Sequence, residues 1–238
     1  MTLAGRRVVV VGGTSGMGLA TVRAAAAQGA EVVAAGRRGV DGRERIDGVR
    51  QAQVDVTDEA SVRTLFESVG ELDHLLVSAS AGFPGPFLEQ DLAAARTFLD
   101  GKFLGSWACA RYAAPRMTAG GSITFVTGVA VVRPPRDAAM VTAAFAAVEA
   151  LSRALALELG PLRVNTIRPG YTDSEMWSGL SGAERDDLRG RVADALPTGR
   201  MGRPEDIAHA ALFLMTSRQT TGAVLEVSGG ESLVDTLD

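Results

Sequence analysis

One alternation limits what this chain can fold into. Short, almost wholly apolar runs, RVVVV (7–11), EVVAA (31–35), LDHLLVS (72–78), SITFVT (122–127), RVNTI (163–167) and AVLEVS (223–228), are separated by longer segments whose apolar residues recur at helical spacing. A strand that is apolar at nearly every position must be covered on both faces. A parallel sheet with crossover helices does this, and an antiparallel sheet with one wet face does not. The alternation predicts an α/β fold, a doubly wound sheet between two layers of helices.

The helices carry readable ends. Glu158-Leu159-Gly160-Pro161 closes a long helix over about 140–159, with Gly near its C-terminus and Pro just beyond. RPEDIAHAALFL (203–214) opens another with Pro204 and two carboxylates in its first turn, where the helix dipole favours negative charge. No linker, charge block or repeat divides the chain, so residues 1–238 are expected to form one domain, with the polar stretch 171–197 as a lid-like excursion over one end of the sheet.

Composition excludes several classes of function. A net charge of −4 leaves no basic excess for a phosphate backbone, so nucleic acid is not an expected partner. No uninterrupted apolar run reaches membrane-spanning length and no leader precedes the first strand, so a cytoplasmic protein without a membrane partner is expected. Cys109 is the only cysteine and reads as helix packing; His74 and His209 are the only histidines, and no metal site is expected.

After the first strand comes VGGTSGMGLA (11–20), with Gly12, Gly16 and Gly18 on a strand-to-helix turn. Glycines there permit positive φ and let backbone N–H groups approach a pyrophosphate, which the helix N-terminus attracts. The spacing G-x-x-x-G-x-G resembles that of the short-chain dehydrogenase/reductase family. The resemblance extends over DVTDEASV (55–62), IRPGYTDSEMW (167–177) and PTGRMGRPEDIAHAALFLMT with TGAVLEVSGGESL (197–233). It implies a Rossmann sheet of seven parallel strands that binds a nicotinamide cofactor at the strands' C-terminal edge. The implied cofactor contacts are Gly12, Thr14, Ser15, Gly16, Met17, Gly18, Arg37, Arg38, Asp55, Val56, Ser80, Gly82, Pro169, Gly170 and Ser174.

Two of these positions bear on which cofactor. Where the family ends its second strand in a carboxylate that accepts from the NAD ribose, this chain has Gly36, followed by Arg37 and Arg38. Without the acid, nothing repels a 2′-phosphate, and a guanidinium can hold it bidentately, so NADP(H) is the expected cofactor. SASAG (78–82) stands where the family has Asn-Asn-Ala-Gly, with Ala79 and Ser80 in the Asn positions, which weakens the side-chain support of that segment. Asp55 would contact the adenine; the other role open to an acid in DVTD, a helix N-cap, suits Thr57 or Asp58 better.

The family's catalytic residues are a Tyr, a Lys four residues later, a Ser and an Asn. The helix read as AAVEALSRALALEL (146–159) sets the Tyr position at Val141 and the Lys position at Phe145; the Ser position falls at Gly128, and the Asn position at Lys102. The only tyrosines are Tyr112 and Tyr171, so no shift of alignment restores the pair. Valine and phenylalanine donate no proton and glycine has no side chain, which removes the family's ordinary acid-base mechanism.

Lys102 is the chain's single lysine; every other base among the 24 is an arginine. The resemblance implies that it faces the pocket of Val141 and Phe145, where desolvation would lower its pKa and suit it to proton transfer or oxyanion stabilisation. The other reading has it snorkel to the cleft rim or pair with Asp100 or Glu149. Thr127 and Tyr171 are the remaining polar candidates for catalysis. Thr127 could equally bond backbone, and Tyr171 with Trp177 either walls the cleft or packs the lid. Arg133 and Arg136, in VVRPPRD, either attract an acidic ligand or lie in solvent, the reading preferred here.

Three functions stay open: an NADP(H)-binding oxidoreductase with an altered active site, a non-redox enzyme such as a cyclase or isomerase that uses the apolar cleft, and a non-catalytic binding or partner subunit. The resemblance also implies a homodimer or homotetramer built through the helices at about 92–118 and 140–159 and through the last strand. Their Ala-rich and apolar faces suit close approach.

Overall fold

The structure is a computed structural model and describes residues 2–37, 46–80, 85–174, 177 and 179–234. Seven strands, β1 (Arg7–Val11), β2 (Glu31–Gly36), β3 (Val49–Gln53), β4 (Leu72–Val77), β5 (Met117–Val126), β6 (Arg163–Pro169) and β7 (Val224–Val227), pair in parallel in the order β3-β2-β1-β4-β5-β6-β7. The helices are α1 (Gly16–Ala27), α2 (Glu59–Val69), α3 (Leu92–Leu99), α4 (Gly105–Ala113), α5 (Ala139–Glu158), α6 (Gly182–Ala195) and α7 (Pro204–Thr216).

Both faces of the sheet are covered, as continuously apolar strands require. Along β1, Val8 and Val10 point into a core with Val22 and Ala25 of α1 and with Ile207, Ala211 and Leu214 of α7. Val9 and Val11 point to the other face, against α2, α4 and α5 through Leu65, Phe66, Cys109 and Val148. Each valine so buried stabilises the fold by roughly 1.5–3 kcal/mol. α5 is long and apolar enough to span a bilayer by composition alone; one face, with Val141, Ala144 and Val148, is buried and the helix packs on β6.

Three boundaries differ from the sequence reading. The helix expected at about 92–118 is two helices joined by one π turn, Asp100–Leu104; it ends near Ala113, and β5 begins at Met117. The excursion at 171–197 contains a regular helix, α6. β3, at the sheet edge, is only partly covered and has the sequence VRQAQ, too polar to stand out as an apolar run.

Register places the site. Val11 lies opposite Ala35 on one side and Val77 on the other, so Gly12, Gly36 and Ser78 leave the ends of three strands at one level. The chain winds to β2 and β3 on one side of β1 and to β4 and beyond on the other. The crevice forms where those connections diverge.

Candidate functional site

A cavity of about 410 Å³ opens at that divergence, lined by Gly12, Thr14–Gly18, Gly36, Arg37, Val54–Thr57, Ser78–Ser80, Thr97 and Ser174. Gly12 is there because the backbone turns at φ +87°, and a Cβ would stand 2.7 Å from the Ala79 nitrogen. Gly16 takes φ +49°, and a Cβ on it would meet only Ser174, at 3.7 Å. The first turn of α1 opens on this space. Its N-cap, Ser15, makes no side-chain capping bond and no acid stands in the turn, so the dipole's positive end has no carboxylate partner. These features fit the phosphates of a dinucleotide.

At the other end of the cavity, Asp55 takes hydrogen bonds from the Thr57 backbone N–H and hydroxyl, which hold its carboxyl below the ordinary range. It does not cap α2; Asp58 does, accepting from the Ala60 N–H at 2.9 Å. Gly36 and Arg37 both line the cavity. A Cβ at Gly36 would lie 2.7 Å from the Thr14 hydroxyl, so Thr14 fills the space from which a carboxylate would extend.

Of the cofactor contacts expected from sequence, Gly12, Thr14, Ser15, Gly16, Met17, Gly18, Arg37, Asp55, Val56, Ser80 and Ser174 meet in this cavity. Pro169 and Gly170 are not among its lining. Gly170 lies beneath the C-terminal turn, where a Cβ would strike the Glu231 carboxylate and Ser228. Arg38 and Gly82 fall outside the described residues. Thr97 lines the cavity from α3, and no sequence motif signalled it; only the fold brings that helix across.

The four positions set against the family's catalytic residues are packed against one another. Val141 is buried in a cluster with Phe98, Ala130, Ala138 and Ala144, and Phe145 lies along that cluster. The Phe145 ring takes up the room beside Gly128: a Cβ there would stand 2.7 Å from its Cε2. Lys102, on the π turn, is 2% exposed, and its Nζ lies 5.2 Å from the Phe145 ring centroid. The ammonium donates to the Val126 carbonyl at 2.6 Å and to that of Ala79 at 3.3 Å, and burial pulls its pKa down to about 8. Lys102 therefore neither reaches the rim nor pairs with Asp100 or Glu149.

Glu149 has other partners. Its carboxylate is gripped by Arg168 through bonds of 3.0 and 2.7 Å and accepts from the Thr127 hydroxyl at 3.1 Å. Thr127 also lies 3.3 Å from the Ile167 carbonyl, so its hydroxyl is engaged between α5 and β6. Tyr171 stacks on Trp177 with centroids 5.9 Å apart and packs with Leu196 and Met201, in the excursion. Burial and the nearby Glu231 push its phenol upward. Arg133 is not simply solvated, for it donates to the Glu231 carbonyl at 2.5 Å. Among the described residues, no group of His, Cys, Asp and Glu could hold a metal ion.

Residues 11–232 match the family model for "Enoyl-(Acyl carrier protein) reductase". The cis-4-hydroxycyclohexanecarboxylate dehydrogenase of Sinomonas cyclohexanicum is 36% identical over 246 residues, covering 96% of this chain and 97% of its own. The chain belongs to the short-chain dehydrogenase/reductase family. Two solved structures of such proteins show how far the likeness runs. A small-chain dehydrogenase in complex with NADPH superposes with a TM-score of 0.82 at 33% identity, over 96% of this chain and 99% of that one. The MalC Reductase/Diels-Alderase of Malbranchea aurantiaca superposes at 0.87 with 27% identity, over 97% of each. The seven-stranded sheet and its flanking helices are those of the short-chain dehydrogenase/reductase fold.

Proposed function

We propose that this protein binds a nicotinamide dinucleotide with preference for NADP(H), and that it lacks the Tyr-Lys proton transfer by which its family reduces carbonyls. One observation carries the reading. The cavity suited to the adenosine and phosphates is open and edged by Gly36 and Arg37, whereas Phe145 rests on Gly128 at the positions set against the catalytic residues. A relative solved with NADPH supports the choice of cofactor.

When bound, the cofactor would supply a hydride. The chain's own contribution is to hold it: Thr14–Gly18 offer the phosphates backbone N–H groups and a helix dipole, Arg37 offers a 2′-phosphate a guanidinium, and Asp55 stands by the adenine. Val141 and Phe145 move no proton. Loss of general acid catalysis costs roughly 10²–10⁴-fold in rate, so any redox turnover rests on positioning alone.

A second reading has a specific feature in its favour. Phe98, Ala130, Val141, Ala144 and Phe145 make the place of the acid-base pair a packed apolar cluster, and one structural neighbour is a Reductase/Diels-Alderase. A non-redox cyclase or isomerase acting on an apolar substrate needs no acid-base pair at these positions. For assembly we propose a homodimer or homotetramer through α4, α5 and β7, and for localisation the cytoplasm.

Calorimetric titration with NADPH and NADH tests the first reading. The expected result is saturable micromolar binding of NADPH, weaker binding of NADH, and an NADPH advantage that shrinks about tenfold in Arg37→Ala, the scale of a charge-assisted bond. Binding of neither nucleotide at millimolar concentration would sink it. NADPH consumption with simple ketones at rates typical of the family would sink the claim about chemistry.

A further inference from the structure

We propose that Lys102 is a positioning residue for the cofactor: its ammonium pins the Ser78–Ser80 wall of the dinucleotide cavity to the end of β5. The inference rests on the cofactor reading above and goes beyond it, because it assigns a role to the one cation among the four altered positions.

Ser78, Ala79 and Ser80 form one side of the cavity, just past β4. Ser78 is held by its own backbone N–H, which donates to the Val11 carbonyl at 2.9 Å. Ala79 brings no polar side chain to the task. Its carbonyl is met by Lys102 Nζ, and no other donor reaches it among the described residues. The same ammonium donates to the Val126 carbonyl, the last residue of β5. One side chain from the π turn thus ties two neighbouring strand ends together behind the cavity wall. Where the family relies on asparagine side chains in this segment and at position 102, this chain uses a single ammonium.

An ammonium has three N–H bonds pointing in different directions. Two carbonyls, of Val126 and Ala79, accept from it, and Nζ lies over the Phe145 ring, 5.2 Å from its centroid. A desolvated cation over an aromatic face is stabilised by the ring's quadrupole. Phe145 therefore does more than fill the space beside Gly128. It covers the charge that replaces the family's own.

The choice of residue fits this arrangement. The chain uses arginine for every other base, so an arginine would be expected at 102 if any cation sufficed. A planar guanidinium, with its donors in one fork, cannot meet two carbonyls and a ring set around a single point; a compact tetrahedral ammonium can. Bonded to two backbone carbonyls and almost unexposed, Lys102 does not present a proton to a substrate. Its effect is on the shape of the cavity, at the side away from Gly36 and Arg37.

Because Lys102 is the only lysine, wild-type protein grown with ¹³C-lysine gives one lysine Cε signal. That signal is expected to shift when NADPH saturates the protein. Lys102→Met, which keeps the chain length and removes the charge and donors, is expected to weaken NADPH binding about tenfold or more while leaving the NADPH-to-NADH ratio unchanged. A lysine signal unmoved by saturating NADPH, or a methionine variant that binds NADPH within about twofold of wild type, overturns the proposal. Should the variant fail to fold, the wild-type spectrum decides. If wild-type protein binds neither nucleotide by calorimetry, the cofactor reading has failed and this inference falls with it, a result distinct from wild-type binding with a silent lysine.

Discussion

Phe145 and Gly128 constrain each other at van der Waals range. A Cβ at 128 would stand 2.7 Å from Cε2 of the ring, closer than real side chains approach, and 3.2 Å from Cδ2, a tight contact. The ring is pinned in turn, with Lys102 over one face and the Val141 cluster beside it. Gly128→Ser is therefore expected to overpack the site and destabilise the protein by about 1–3 kcal/mol without producing carbonyl reduction. In a Phe145→Leu background, with the ring gone, the same serine is expected to cost less than about 1 kcal/mol; urea denaturation of the four proteins of this cycle measures the coupling. Equal costs in both backgrounds would mean that the ring is not what excludes the serine. The resemblance to the family located residues 128 and 145, with the family's spacing of thirteen residues from Gly128 to Val141 and four more to Phe145. It could not reveal their contact, because ring direction depends on a rotamer chosen by neighbours from three other segments.

At the scale of elements, α6 is the helix that the sequence concealed. Its residues, GAERDDLRGRVADA, bury only Val192, so no apolar stripe announces it. The start was legible in hindsight: Ser181 and Glu184 form a capping box, with the Ser181 hydroxyl accepting from the Glu184 N–H and the Glu184 carboxylate from the Ser181 N–H. What ties this polar helix down is charge. Asp173, just after β6, receives Arg185 and Arg189 from α6, each through two N–H groups on one carboxylate oxygen at 2.5–2.9 Å. Burial raises the Asp173 pKa, but the two guanidiniums outweigh it and hold the group below its ordinary value. A depressed acid contributes its stability above the unfolded pKa and loses it as pH falls through the folded one, so the clamp is intact at neutral pH. Asp173→Ala is expected to speed tryptic cleavage at Arg185 and Arg189 several-fold while the midpoint of global unfolding moves little, since few buried apolar contacts depend on α6. Unchanged cleavage would show that the helix is held otherwise. The strands, by contrast, were legible wherever both faces are covered. Six of the seven could be read as apolar runs; both edge strands are only partly covered, and β3, VRQAQ, uses that freedom to be polar whereas β7, VLEV, stays largely apolar.

For the molecule as a whole, acid stability and assembly follow from groups far from the cavity. His74 is buried in β4, with Nδ1 2.9 Å from the Ser122 hydroxyl, and burial lowers its pKa to about 4. A histidine held neutral in the native state and free to protonate when unfolded contributes stability above its ordinary pKa near 6.5, and that contribution shrinks as pH falls toward 4. Between pH 7 and 5 the loss amounts to about 2 kcal/mol, which urea denaturation at the two pH values would detect and which should be largely absent in His74→Gln. Assembly depends on the outer faces. Leu104 and Trp107, one turn apart around the start of α4, are 49% and 43% exposed, and Leu157 near the end of α5 is 87% exposed. Apolar residues so open on the two helices proposed to pair are the side chains a second copy would bury. Light scattering is expected to give a multiple of 24.7 kDa for the wild type, and the Trp107→Glu/Leu157→Arg double variant is expected to run as a smaller species. Phe213, 52% exposed on α7, lies on the opposite face of the sheet, outside the surfaces proposed to pair, so Phe213→Arg is expected to leave the assembled mass unchanged. A wild type that runs at 24.7 kDa would remove both the dimer and the tetramer.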